Sequence, residues 1–369
     1  MIFAASIITL IYFLFLWFMV YGYFKIPHLS IDRNKNPGFF FSIVIPFKNE
    51  EEHLNDLLFS IQQLDYPLSM FEVILVNDAS TDTSVKIIDK YKKVLPIKLL
   101  QNKIKTKSPK KDALEIGIAK AKYDWIITTD ADCIVSPDWL LSYDAAISEH
   151  HPTMIIAPVK FKDSNLFLDF FQQIEFIGLQ GMTIGSLGIK QAFLSNGANM
   201  GFEKHGFYEV GAYQGNKHLP SGDDVFLLEK FYRRYPNQIV FLKNHHAIVQ
   251  TATQKTWKNL IQQKIRWASK TKEYRSFFPK MLGLSILLMN VTFMLCLVES
   301  IFFHHTQCLI FLFSKLIIDF VYLKIINLFY RVKMNYLFYF FSFLLYPIYF
   351  IFLTIKSLDG NFEWKGNKY

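Results

Sequence analysis

"IITTDADC", residues 126–133, closes an apolar run with two aspartates separated by one alanine. A continuous apolar stretch of this length fits a strand buried on both faces, and charge concentrated at its end is costly unless something compensates it. On an extended strand, residues two apart face the same side, so Asp130 and Asp132 are expected to point together while Ala131 points away. Two hard oxygen ligands on one side suit Mg²⁺ or Mn²⁺, ions that commonly bridge to a diphosphate. A solvated loop bearing two acids is the alternative when the spacing is taken alone.

The same pattern recurs upstream. "FFFSIVIPF" (39–47) is followed by Glu50–Leu64, where Leu54, Leu57, Leu58 and Ile61 repeat at helical spacing. Next come "FEVILVND" (71–78), a helix opening near Thr81 and Asp82, "PIKLL" (96–100) and a helix over Asp112–Ala121. Apolar strands alternating with amphipathic helices predict an α/β fold whose parallel sheet is covered on both faces. Ligands of such sheets collect at the carboxyl ends of the strands, and here those ends carry Pro46–Asn49, Asn77–Asp78 and Asp130–Asp132. "IPFKNEEE" contains no glycine, which excludes the glycine-rich dinucleotide turn and the phosphate-cradling loop of nucleoside triphosphatases after the first strand.

The chain of 369 residues is 51% hydrophobic with a formal net charge of +9. Residues 1–24 contain no charged side chain, long enough to cross the roughly 30 Å hydrocarbon layer, and they read as a retained anchor because the stretch stays bulky and aromatic to its end. Beyond residue 280, Met281–Phe303 carries only Glu299 and Tyr336–Ile355 carries no charge. Between them, Gln307–Tyr330 includes Lys315, Asp319 and Lys324, the first two at a helical i,i+4 spacing. The expectation is a C-terminal membrane cluster over 281–355 of two or three spans, with three preferred, and a polar tail over 356–369. Lys255, Lys258, Lys264, Arg266, Lys270, Lys272, Arg275 and Lys280 precede it, opposed by Glu273. The positive-inside bias then puts the middle domain, residues 38–275, in the cytoplasm against an anionic leaflet, and no nucleic-acid role is assigned to these charges. Cys133, Cys296 and Cys308 have no metal or disulfide spacing, and His245, His246, His304 and His305 are given no metal role.

Seven stretches in order resemble the family 2 glycosyltransferases: "VIPFKNEE" (44–51), "VNDASTDTS" (76–84), "KKDAL" (110–114), "TTDADC" (128–133), "SNGANMGFEK" (195–204), "GDDVFLLEK" (222–230) and "QQKIRW" (262–267). The resemblance implies a GT-A fold, a Rossmann-like nucleotide-sugar-binding domain, inserted between an N-terminal transmembrane helix and a C-terminal transmembrane cluster. It implies that Pro46, Glu50 and Asp78 contact nucleobase and ribose, that Lys110 or Lys111 approaches the nucleotide, that Asp132 holds the metal, and that Asp130 lies by ribose and metal. Asp224 would be the base that deprotonates the acceptor hydroxyl, with Asp223 where relatives often carry glutamate. "FLSNGANMGF" would let backbone approach a sugar, with Asn196 and Asn199 donating and accepting, although an ordinary turn explains it equally. Gln263, Arg266 and Trp267 match the family pattern QxxRW, with Arg266 assisting the diphosphate and Trp267 stacking on an acceptor sugar. Without the family, the same segment reads as an amphipathic helix at the membrane surface.

QxxRW occurs among relatives that polymerise sugars and among ceramide- and hopanoid-type enzymes that glucosylate a lipid once. The layout of one anchor, one domain and a short terminal cluster is more similar to the latter. The tail "FEWKGNKY" is similar to a tryptophan-lysine-glycine-arginine ending among them, with Asn367 in place of the arginine. The expected activity is inverting, metal-dependent transfer from a nucleotide sugar, a UDP-sugar by preference, to a lipid or lipid-linked glycan acceptor at the bacterial inner membrane. The alternatives are a processive polysaccharide synthase subunit, a non-catalytic nucleotide-sugar-binding subunit, and a metal-dependent phosphotransferase.

Overall fold

A computed structural model describes residues 2–103 and 105–359 and two short strands, Glu363–Trp364 and Asn367–Lys368. Of the tail "FEWKGNKY", Glu363–Trp364 pairs antiparallel with Asn367–Lys368, and the other four residues lie outside the described ones. The chain forms two compact units, one of residues 26–162 and 192–252, the other of residues 1–25, 163–191 and 253–369.

The elements follow in order as α1 (Ile2–Lys25), β1 (Phe41–Phe47), α2 (Leu54–Gln62), β2 (Phe71–Asn77), α3 (Ser84–Tyr91), β3 (Ile97–Gln101), α4 (Pro109–Lys120), β4 (Trp125–Thr128), α5 (Trp139–His150), β5 (Met154–Ile156) and β6 (Val159–Phe161). Then come α6 (Phe167–Gly188), β7 (Met200–Glu203), α7 (Lys204–Glu209), α8 (Val225–Arg234), β8 (Ile239–Phe241), β9 (Val249–Thr251), α9 (Trp257–Ala268), α10 (Phe278–Phe302), α11 (Cys308–Tyr330) and α12 (Tyr336–Asp359).

The first unit is built on a seven-stranded sheet of order β3-β2-β1-β4-β7-β5-β8. β1, β2, β3 and β4 run parallel, as their apolar runs predict, but β7 is antiparallel to both β4 and β5, so the sheet is mixed. Strand order runs outward from β1 to β3 and then resumes at β4 on the other side of β1. That reversal places the carboxyl ends of β1 and β4 side by side at a topological switch point. α4 begins at Pro109, whose missing N–H costs nothing at the first helical position. It packs flat on the sheet because residue 117 is glycine: a Cβ there would lie 2.4 Å from Val44 Cγ1.

The second unit is helical. The sequence reading assigned residues 163–191 to the middle domain, yet α6 packs against α1, α11 and α12. Its glycines explain the packing. A Cβ on Gly185 would lie 2.4 Å from Met19 O, and one on Gly188 would lie 1.9 Å from Gly22 O, so α1 and α6 touch backbone to backbone. α1, α10 and residues 336–358 of α12 are long and apolar enough to cross a membrane. α11 has the length, but its three charges keep it outside that group. Two of those charges pair within the unit: Lys315, 1% exposed, lies 2.5 Å from Asp319, which also accepts from the Tyr12 hydroxyl at 2.5 Å. The rings of Phe293, Phe343 and Tyr346 surround the Lys315 ammonium at 5.8, 5.0 and 6.0 Å.

Gly185→Ala is expected to force α1 and α6 apart and to lower stability by about 1–3 kcal/mol, read as a drop in the thermal unfolding midpoint of the detergent-solubilised protein. Gly178→Ala is the control. A Cβ there meets only Leu323 Cδ2 at 3.6 Å, and the midpoint is expected to hold or rise slightly.

Candidate active site

The strand β4 ends at Thr128, two residues before the first aspartate. Asp130 and Asp132 therefore sit on a turn, closed by the Cys133 amide donating to the Asp130 carbonyl at 3.2 Å, and not on an extended strand as the spacing suggested. Ala131 and Cys133 are buried beneath the turn, which anchors it and leaves both carboxylates on its rim. Alternation along a strand thus gives way to a turn because the apolar run stops paying for burial of backbone once β4 leaves its neighbours.

The two aspartates have different company. Asp130 lies 2.8 Å from Lys110 Nζ, and the same ammonium lies 3.2 Å from Asp223. Burial pulls Lys110 down, but Asp130, Asp223 and Asp224 overcome it and hold the ammonium well above the ordinary lysine value. Asp132 is half-buried and shares a hydrogen bond with Thr251 of β9. Burial, then Asp130, then Glu50 push its carboxyl up to about 6. Glu50 follows β1, and its amide donates to the Ser84 hydroxyl at 2.9 Å.

Asp224 caps α8. Its carboxylate accepts from Val225 N at 2.7 Å and from Gly197 N at 3.3 Å, so amides hold it at the positive end of a ten-residue helix. The preceding Gly222 takes φ +82, a turn open to glycine and strained for other residues. Gly197 lies close under the acids: a Cβ there would lie 3.0 Å from Asp223 Oδ2 and 3.6 Å from Lys110 Nζ, so a side chain would press on the Asp223 carboxylate.

Asp78, buried at the end of β2, accepts from Asn102 Nδ2 at 2.7 Å, and its amide donates to Phe47 O at 2.8 Å. Pro46 is half-buried in β1. Asp82 binds the amides of Ser84 and Glu51 at 3.0 Å each, a turn-capping role. Within this unit Glu50, Lys110, Asp130, Asp132, Asp223 and Asp224 thus form one charged cluster around the sheet's switch point.

Two residues that the resemblance assigned to nucleotide or sugar contact do other work. Lys111 is fully buried, donating to the carbonyls of Asn216 at 2.7 Å and Leu219 at 3.0 Å, and it lies over the Phe226 ring. Asn199 is also fully buried, and four hydrogen bonds consume its amide. Oδ1 accepts from Trp139 Nε1 and Tyr143 OH at 2.9 Å, and Nδ2 donates to Pro158 O and Ala247 O at 2.8 Å. Nothing remains for a sugar, so Asn199 is a core joint. Sequence reasoning left Thr251 unmentioned and gave Asp223 no role. Thr251 carries no local signal, because a bridge between its neighbour Gln250 and Ile134, just after the turn, brings it there.

Gln263, Arg266 and Trp267 lie on α9 in the helical unit, and the segment is helical as the pattern requires. Trp267 packs on Phe176 of α6 at 6.3 Å between ring centroids. Lys264 covers its face at 4.4 Å and is itself paired with Glu175 at 2.9 Å in a buried ion pair.

Among the described residues, no three His, Cys, Asp or Glu side chains stand close enough to cage a metal. The acids nonetheless fit Mg²⁺ or Mn²⁺. Such ions take one or two carboxylates and complete their shell with phosphate oxygens and water, and a cation offsets the burial and the charges of Asp130 and Glu50 that raise Asp132.

Residues 42–206 match the family model described as glycosyl transferase family 2. This region, a little under half of the chain, is similar to the family 2 glycosyltransferases. A poly-beta-1,6-N-acetyl-D-glucosamine synthase of Staphylococcus aureus is 26% identical over 284 residues, covering 74% of this chain and 64% of that one. The poly(ribitol-phosphate) beta-N-acetylglucosaminyltransferase TarS of Staphylococcus aureus is 30% identical over 120 residues, 32% of this chain and 21% of that one. The chain thus spans less than two thirds of the length of these relatives. Among solved structures, the mannosyltransferase PcManGT from Pyrobaculum calidifontis, in complex with GDP-Man and Mn²⁺, superposes with a TM-score of 0.58 at 16% identity, covering 97% of this chain and 98% of that one. The domain therefore has the GT-A fold.

The Asp132 shift has a sign that can be checked. A carboxyl raised in the folded state costs no stability while protonated and costs it increasingly as pH rises through about 6. In metal-free protein, Asp132→Asn is expected to raise the thermal midpoint at about pH 8 and to leave it unchanged at about pH 4. An equal change at both would mean that the carboxylate is not strained by its neighbours.

Proposed function

We propose that this protein is an inverting, metal-dependent glycosyltransferase that moves a sugar from a nucleotide-sugar donor, a uridine diphosphate sugar by preference, to a lipid or lipid-linked acceptor at the membrane. One observation carries the reading: carboxylates from the β1 end, the β4 turn and the α8 cap converge with Lys110 at the switch point of a domain similar to the family 2 glycosyltransferases. Asp78 and Pro46 would meet nucleobase and ribose, where a carboxylate accepts hydroxyl and imide protons well. Mg²⁺ or Mn²⁺, held by Asp132 and Asp130, would supply charge neutralisation for the departing diphosphate.

Asp224 is the base of this reading. As the acceptor oxygen forms its bond to the anomeric carbon, the bond from that carbon to the diphosphate breaks, and the acceptor proton passes to Asp224. The amides of Val225 and Gly197 hold that carboxylate in one orientation. Roles for Gln263, Arg266 and Trp267 in binding diphosphate and acceptor rest on the QxxRW pattern. The apolar helices and the basic run from Lys255 to Lys280 support a plasma-membrane enzyme whose domain faces the cytoplasm, with α11 crossing as a third C-terminal span because its ion pair is turned inward.

A processive polysaccharide synthase is the second reading, favoured by the synthase relative that covers 74% of the chain. Nucleotide sugars supplied to the protein with lipid extract from its own organism separate the two. Mass spectrometry of the product would show a single sugar increment for one transfer and a ladder for polymerisation.

Asp224→Asn is expected to lower kcat by about 10²–10⁴-fold while donor affinity stays within about threefold, measured by product formation and by calorimetry with the donor. Loss of donor binding in this variant would move Asp224 from the proton transfer to the binding of the nucleotide sugar.

A further inference from the structure

Lys110 has an unusual place for a cation in a site that is read as holding a divalent ion. Its ammonium contacts Asp130, one of the two turn carboxylates, and Asp223, the neighbour of the base. Its backbone cannot retreat. The start of α4 is pinned by Lys111, buried on the carbonyls of Asn216 and Leu219, and by Asp112, which accepts from the amides of Lys105 and Thr106 at 2.8 Å each. Pro109 O is held by Asn102 Nδ2 at 3.0 Å, the same amide that binds Asp78. Only the four-carbon stem of Lys110 is free to swing, and its side chain is 25% exposed.

We propose that Lys110 is a resident counter-cation that competes with the divalent ion for Asp130 and releases this carboxylate when a diphosphate arrives. The proposal rests on the glycosyltransferase reading. Two cations on one carboxylate repel each other, so an ammonium at 2.8 Å weakens metal binding while no nucleotide is present. A diphosphate offers both cations oxygen ligands, since lysine binds phosphate as a point charge and Mg²⁺ or Mn²⁺ bridges phosphate and carboxylate. The ammonium then leaves Asp130 for phosphate, and the divalent ion takes its place on the carboxylate. Asp223 loses part of its pairing in the same movement, which couples arrival of the donor to the acidic turn that carries Asp224.

The test is Mn²⁺ binding to the full-length protein in detergent, followed by the paramagnetic resonance signal of free Mn²⁺, without nucleotide and then with uridine diphosphate. Without nucleotide, Lys110→Met is expected to bind Mn²⁺ about three- to tenfold more tightly than the unaltered protein, while Lys110→Arg, which keeps the charge, binds as the unaltered protein does. With uridine diphosphate, the unaltered protein is expected to gain Mn²⁺ affinity more than Lys110→Met does. Lys110→Gln serves the same comparison if Lys110→Met does not fold. Unchanged or weaker Mn²⁺ binding in a folded neutral variant overturns the counter-cation role. If the unaltered protein binds Mn²⁺ with uridine diphosphate and transfers sugar while the variants show no difference, only the Lys110 proposal falls. If the unaltered protein binds no Mn²⁺ with uridine diphosphate, the metal-dependent reading falls with it.

Discussion

Like charges must be kept together at the end of a buried sheet, and much of this domain is arranged around that constraint. Glu50, Asp130, Asp132, Asp223 and Asp224 come from three separate places in the chain, and burial together with the charges of Asp130 and Glu50 raises the carboxyl of Asp132. Four of these five acids have a restraint within the domain. Backbone amides hold Asp224, the Lys110 ammonium spans Asp130 and Asp223, and Thr251 meets Asp132. A site of this kind carries electrostatic strain that costs stability and suits a ligand bringing positive charge.

The restraint depends on buried polar joints behind the cluster. Lys111 fastens the loop before α8 to the start of α4, and Asn199 ties β7 to α5 and to the carbonyls of Pro158 and Ala247. Both are fully buried and hydrogen-bonded, the condition under which a polar group is tolerated in a core. Lys110 and Lys111 are adjacent in sequence and differ completely in role. One faces the acids; the other is spent on backbone carbonyls. Successive residues on a helix point about 100° apart, and that rotation alone separates them.

The helical unit obeys a different constraint. Where helices are apolar enough to cross a membrane, close packing and internally satisfied polar groups are what hold them together. The glycine contacts of α1 with α6 supply the first, and the Tyr12–Asp319–Lys315 group with its ring of aromatics supplies the second. On α9, the tryptophan of QxxRW is bracketed by Lys264 and Phe176, so its ring is preset by contacts within the unit.

The alternation of apolar strands with amphipathic helices from Phe41 to Thr128, and the gathering of acids at strand ends, were legible because backbone hydrogen bonding imposes short periods on which residues are buried. The apolar lengths of α1, α10 and α12 were legible for the same reason, as was the helix that carries QxxRW. The turn at Asp130–Asp132, the antiparallel β7, the membership of α6 in the helical unit and the structural roles of Lys111 and Asn199 were not. Apart from the turn, each depends on partners far away in the chain: Asn216 and Leu219 on Lys111, Trp139 and Tyr143 on Asn199, β4 beside β7, Met19 against Gly185. Local sequence thus determined which segments fold as strands and helices and which residue types could carry the chemistry. Tertiary structure decided which of those side chains meet, because electrostatic and packing energies depend on distances that only the assembled chain sets.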